Sequence, residues 1–329
     1  MEMTRSDAYI CKLTEETRRE TAADVESPTV AVLLCTYNGA EFLEEQLSSI
    51  WSQESARVSV FASDDQSWDN TRAILGKFKD RPDGFLRLYE GPGRGHVANF
   101  FSLICAPIEA DFYAYADQDD IWDRDKLARA TEALARVPEG RPAIYCSRTR
   151  LMSKSGSQIG LSPLFKRPPE FSNALIHNIG GGNTMVLNYS AMQLLRAVGQ
   201  VDVVSHDWWT YILVTGAGGE VIYDAEPSLY YRQHPHNLIG SNMSWRDRFQ
   251  RFSLALQGRN RAWNTRNTQA LQHARSWLTP ENRKVLDEFC RARNARLVPR
   301  VLGMKRSGVY AQSGWGSLSL VAATFLKKL

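Results

Sequence analysis

Four times between Thr29 and Val137 the chain passes from a short apolar run, through a turn, into a stretch whose apolar residues recur at helical spacing. Thr29 to Cys35 (TVAVLLC) is continuous and rich in β-branched residues, as expected of a strand buried on both faces of a parallel sheet. Val58 to Ala62, Phe85 to Tyr89 and Asp111 to Ala116 read as the next three strands. Phe42 to Trp51, Thr71 to Phe78, Val97 to Ile104 and Lys126 to Val137 read as the helices that follow each strand. This alternation predicts an α/β fold with a doubly wound, mostly parallel sheet. Ligands of such a sheet bind beyond the carboxyl ends of the strands.

The second half is less regular. Strands are expected over Ala143 to Arg148 and Glu220 to Tyr223, Gly180-Gly181-Gly182 precedes an apolar run from Thr184 to Leu187, and Tyr230 to Asn237 follows the last strand. Met152 to Gly156 reads as a turn, and 161–170, with three prolines, as loop. Helices are expected over Ser190 to Val198 and Trp208 to Val214. Beyond Ser244 the chain becomes arginine-rich and helical. Three regions result: a poorly ordered leader over 1–28, one α/β domain over 29–240 and a helical extension over 241–329.

Forty basic against thirty-six acidic residues give a net charge of +4, too mild to point to nucleic acid. Five scattered cysteines without a CxxC pair read as reduced thiols of a cytoplasmic protein. No secretory h-region and no apolar run of about 18 residues is present, so the expectation is a protein that does not span a membrane.

Acidic residues gather at two strand ends. Asp64 and Asp65 close the second strand; Asp117, Asp119 and Asp120 close the fourth. A lone aspartate at such a junction is an ordinary helix cap. Two clusters at the ligand-binding edge of one sheet repel each other unless a cation intervenes, and magnesium or manganese commonly binds with one or two carboxylates plus substrate phosphates. Thr36, Tyr37 and Asn38 supply a hydroxyl, an aromatic face and an amide beside them, a set suited to a nucleobase and equally to a turn. Gly93-x-Gly95-x-x-Ala98 sits in the third strand-helix unit, where a dinucleotide fingerprint is out of place. It reads better as a tight turn facing phosphate or sugar, with Arg94, His96 and Asn99 as its polar groups. Asp207 opens a helix between His206 and two tryptophans, either as a base in an apolar wall or as a cap. Arg232 and His234 are candidate diphosphate or metal partners.

In order, Thr36-Tyr37-Asn38, Ser63-Asp64-Asp65-Gln66-Ser67, Asp117-Gln118-Asp119-Asp120-Ile121-Trp122, His206-Asp207-Trp208 and Tyr231-Arg232-Gln233-His234 resemble the family 2 glycosyltransferases of GT-A fold, the rhamnosyltransferase-like branch in particular. The resemblance covers roughly residues 29–240. The family usually has glycine where this chain has Gln66 and Pro235. It implies inverting, metal-dependent transfer of a sugar, L-rhamnose being the candidate, from a dTDP- or UDP-linked donor. The acceptor would be a glycan or lipid-linked glycan in polysaccharide or O-antigen assembly. Thr36, Tyr37 and Asp65, with Asp64 beside it, would hold the base and Asp117 the ribose. Asp119 would ligate Mn2+ or Mg2+, with His234. Asp207 would be the general base, and Gly181, Gly182, Asn183 and Trp208 would line the acceptor side.

An NAD(P)-dependent sugar-nucleotide oxidoreductase and a non-catalytic sugar-nucleotide or glycan-binding subunit are the other classes these residues admit. In the extension, Trp245, Phe249, Phe252 and Leu256 share a helical face among arginines, and Gly316 to Leu329 is apolar with two terminal lysines. Both stretches suit core packing, and both suit peripheral contact with the inner face of a plasma membrane.

Overall fold

In the computed structural model, which describes residues 27–79, 85–234 and 259–329, β1 (Thr29–Thr36) lies parallel between β2 (Arg57–Asp64) and β4 (Phe112–Ala116). The expected leader, the 240/241 boundary, Pro235 and the stripe Trp245, Phe249, Phe252 and Leu256 lie outside the described residues. Strands β3 (Phe85–Glu90), β6 (Ala143–Ser147), β9 (Val186–Asn188) and β10 (Glu220–Asp224) complete a seven-stranded sheet of order β10-β6-β9-β4-β1-β2-β3.

The apolar run of β1 is buried along nearly its whole length because successive side chains enter opposite cores. Val30, Val32 and Leu34 pack with α1 (Leu43–Trp51), α2 (Thr71–Lys79) and α4 (Lys126–Ala135). Ala31, Leu33 and Cys35 face α3 (His96–Ile104), the short α5 (Phe171–Ala174), α6 (Tyr189–Val198) and α7 (His206–Gly216). The second core continues into the C-terminal helices, through Leu271 of α8 (Arg259–His273), Leu286 and Phe289 of α9 (Pro280–Asn294), Met304 of α10 (Leu297–Arg306) and Ala323 of α11 (Gly314–Phe325). This is the expected doubly wound, mostly parallel sheet with a helical C-terminal extension.

Two features depart from the sequence expectation. β9 runs antiparallel to both β4 and β6, and Thr184, the first residue of the apolar run that contains most of β9, ends a 3-10 turn over Gly182–Thr184. A second sheet, of order β5-β11-β7-β8, forms from β5 (Ile121–Trp122), β7 (Arg150–Ser153), β8 (Gln158–Leu161) and β11 (Leu229–Gln233). The segment read as a turn from Met152 thus begins as strand and turns only between Ser153 and Gly156. β8 is an edge strand and largely exposed, its alternating Ile159 and Leu161 included. The second sheet positions the site: β5 starts directly after Asp120 and pairs with β11, which leads into His234.

Candidate active site

The carboxyl ends of β1, β2 and β4 meet at one edge. Cys35, near the end of β1, is flanked by Asp65 and Asp117; burial first, then these charges, push its thiol well up. The two acidic strand ends therefore lie close together around Cys35.

At the end of β2 the carboxylates are spent on the protein. Asp64 is fully buried; its Oδ1 accepts from the hydroxyls of Thr36 at 2.9 Å and Ser67 at 2.5 Å, and its Oδ2 from the Ser67 amide at 3.0 Å. Asp64 thereby ties Thr36, at the end of β1, to Ser67, beyond the end of β2. Asn38, at φ +49°, is committed likewise: it accepts from the Trp68 amide at 3.0 Å and donates its own amide to Ser67. The Tyr37 ring remains exposed, on a backbone clamped by Gln118 through 2.8 and 3.1 Å bonds. Asp65 accepts from the amides of Gly93 at 2.6 Å and Gly95 at 2.8 Å, and each oxygen keeps a lone pair.

Those bonds decide the glycine cluster. The amides of Gly93 and Gly95 are taken by Asp65, and that of Gly91 by the Asp64 carbonyl at 2.8 Å, so they do not offer the amide cradle a dinucleotide needs. Arg94 and His96 are exposed beside this loop. Asn99 is buried, its amide giving to and receiving from Ser63 at 2.9 and 2.6 Å.

At the end of β4 the balance is reversed. Asp117 makes no hydrogen bond with the described residues, and its carboxyl is pushed up to about 7 by burial, then by the charges of Asp119 and Asp207. Asp119 Oδ2 meets His234 Nε2 at 2.6 Å, and the His234 ring stacks on Phe42 at 5.6 Å. Asp120 is fully buried and accepts from Asn183 at 2.6 Å; burial and its two acidic neighbours push it well up. Below it, burial pushes the Lys126 ammonium down to about 7, opposed by Asp120, and the group lies 3.7 Å over the Trp122 ring.

Asp207 faces Asp117 from the start of α7. Its Oδ2 accepts from the Gly182 amide at 3.1 Å; its Oδ1 accepts from the Ser205 hydroxyl at 2.5 Å and the Trp208 amide at 2.6 Å. His206 beside it is buried, stacked on Phe100 at 3.6 Å with neither ring nitrogen bonded, and burial pushes it down to about 4. A Cβ on Gly182 would stand 2.6 Å from His206 Nε2, so only glycine brings this backbone amide to Asp207.

Residues 31–195 match the glycosyl transferase family 2. The chain belongs to that family. It is 30% identical over 234 residues to the dTDP-rhamnosyl transferase RfbG of Shigella flexneri, covering 67% of this chain and 78% of that protein. An uncharacterized glycosyltransferase of Rickettsia typhi is 21% identical over 63% of this chain and 65% of its own length. Among solved structures, the Pyrobaculum calidifontis mannosyltransferase PcManGT, in complex with GDP-Man and Mn2+, aligns over 96% of this chain and 91% of its own at 20% identity and TM-score 0.48. TarS 1–349 of S. aureus, in complex with UDP-GlcNAc, aligns over 86% and 93% at 14% identity and TM-score 0.49.

Three of the candidate site residues are hydrogen-bonded within the protein. The Arg232 guanidinium binds Glu45 at 2.5 Å and the carbonyls of Lys154 and Asp119 at 3.0 Å each, so it fixes the Asp119 backbone. Trp208 turns inward and gives its indole N–H to the Ala174 carbonyl at 2.7 Å. The Asn183 amide is held by Asp120 at 2.6 Å, and Gly181 beside it is exposed. Sequence reasoning passed over Gln118, Ser205 and Glu45. Only Gln118 carried a signal, its place between two aspartates.

Proposed function

We propose that the enzyme transfers a sugar, with inversion, from a nucleoside diphosphate donor to a hydroxyl of a glycan or lipid-linked glycan. The similarity to a dTDP-rhamnosyl transferase favours a dTDP-linked deoxysugar, rhamnose first, and a role in polysaccharide or O-antigen assembly. What carries the mechanism is the convergence of Asp117, Asp119 and Asp207 on one cleft, with Asp117 driven up toward 7 by burial and by the other two. Such crowding is costly without a cation.

Among the described residues no group of three His, Cys, Asp or Glu is gathered as a metal cage, so a cation would need oxygens of the diphosphate and water besides Asp119 and His234, whose mutual 2.6 Å hydrogen bond would have to open to admit it. The imidazole tilts the choice toward Mn2+ over Mg2+. Such an ion supplies positive charge to the diphosphate as it departs. Asp65 and exposed Tyr37 would hold the base, and Asp117 the ribose. Asp207 takes the acceptor hydroxyl proton on Oδ2 as the hydroxyl oxygen attacks the anomeric carbon opposite the diphosphate. Gly182, Ser205 and Trp208 hold that carboxylate in place, and general-base assistance of this kind contributes about 10²–10⁴-fold.

Asp207→Asn tests this. Turnover of a dTDP- or UDP-sugar should fall at least a hundredfold while Mn2+-dependent binding of dTDP or UDP stays within threefold. Turnover retained in the variant would remove Asp207 from the role.

A further inference from the structure

The sequence contains no aspartate or glutamate after Glu288, while Arg291, Arg293, Arg296, Arg300, Lys305, Arg306, Lys327 and Lys328 all follow it. Arg293 and Arg300 are buried and hold backbone carbonyls of the C-terminal helices. Arg296, Lys305, Arg306, Lys327 and Lys328 have no ion-pair partner among the described residues. This charge accompanies exposed apolar surface. On α11, Trp315, Leu318, Val321, Phe325 and Leu326 are 69, 60, 51, 53 and 55% exposed, at spacings that place them along one side of the helix. Its opposite side reaches the core through Ala323 and Thr324. Within α10, Leu297, Val298 and Leu302 are exposed between the same basic residues.

We infer that α10 and α11 form a docking surface for an anionic lipid bilayer. A helix of 12 residues is about 18 Å long, well short of a bilayer's hydrocarbon core, and no helix among the described residues is long and apolar enough to cross one. It can lie in the interface, its aromatic and aliphatic side inserted and its lysines among the headgroups. Charge decides between this occupant and a second copy of the chain. A twofold contact sets a patch against itself, and five cations without an ion-pair partner among the described residues, beside a single acid, Glu288, that already pairs with Arg291, repel their own copy. An anionic leaflet meets both properties at once, attracting cations and accepting the apolar stripe. The inference adds a partner to the function proposed above without resting on it. Binding is therefore measured with neither donor nor acceptor, and its failure would leave the transfer reading standing.

The test is flotation of the full-length protein with vesicles of pure phosphatidylcholine, or of phosphatidylcholine with a quarter phosphatidylglycerol. The protein should float with the anionic vesicles, remain below with the neutral ones, and be released by about 0.5 M salt. Lys327→Ala/Lys328→Ala should weaken partitioning on the order of 25-fold, about fivefold for each cation removed. Trp315→Ser/Leu318→Ser should weaken it at least tenfold, with both variants melting at the wild-type temperature. Absence of binding, equal binding to neutral vesicles, or undiminished binding by both variants would overturn the inference. So would sedimentation as a dimer that Trp315→Ser/Leu318→Ser dissociates, since a second copy would then cover the face.

Discussion

The two acidic strand ends have the same residue type in the same topological place and opposite physics. At the end of β2, Asp64 accepts three hydrogen bonds and Asp65 two, all from the protein's own hydroxyls and amides. At the end of β4, Asp117 accepts none from the described residues, and burial with two neighbouring carboxylates holds it near 7. Asp64, fully buried under its three donors, ties the ends of β1 and β2 together, whereas Asp207 accepts as many bonds beside Asp117, so bond count alone does not separate scaffold from site. An unsaturated carboxylate, pressed against its like, is a site waiting for a cation or a hydroxyl.

Alanine at the saturated end should give the largest loss of stability. Asp64→Ala strips acceptors from the Thr36 hydroxyl and from the Ser67 hydroxyl and amide, a cost of about 3 kcal/mol or more, read as a lowered midpoint in urea. The unsaturated end should respond with the opposite sign. The folded-state value of Asp117 lies above its unfolded value, so stability is lost as pH rises from about 4 to about 7. Asp117→Asn removes that loss, and in chelator at pH 8 the variant should melt a few degrees above wild type.

Next in size is the floor of the site. His206 is held near 4, below its unfolded value, so the unfolded chain takes up the proton and stability falls as pH drops from about 6.5 toward 4. At pH 5 this amounts to about 2 kcal/mol. His206→Phe should flatten the slope of melting temperature against pH, leaving the part due to His177, which burial also pushes down to about 4. The smallest effect belongs to Gln66, which sits at φ +69° where its family usually has glycine. Gln66→Gly should stabilise by up to about 1 kcal/mol in a urea titration, with turnover unchanged.

Strands β1 to β4 and their helices were legible because an apolar run between turn residues leaves a strand few alternatives. β9 was not, because three residues carry no signal of direction. Nor was the second sheet, built from a two-residue β5 and an exposed β8. The contact of Asp119 with His234, 115 residues apart, depends on that sheet. At the site, residue type named the cluster but not where each side chain points. Asn99, Arg232, Asn183 and Trp208 have the chemistry of ligand contacts, yet spend it on Ser63, Glu45, Asp120 and Ala174.

The central claim is that crowded carboxylates at the end of β4 hold a dication against a nucleoside diphosphate. Calorimetric titration of the full-length enzyme with dTDP and UDP, in Mn2+ and in EDTA, measures it most directly. The account predicts at least tenfold tighter binding in Mn2+, a difference that Asp119→Asn abolishes and Asp64→Asn retains. Equal affinity in EDTA, or a metal effect that survives Asp119→Asn, would contradict it.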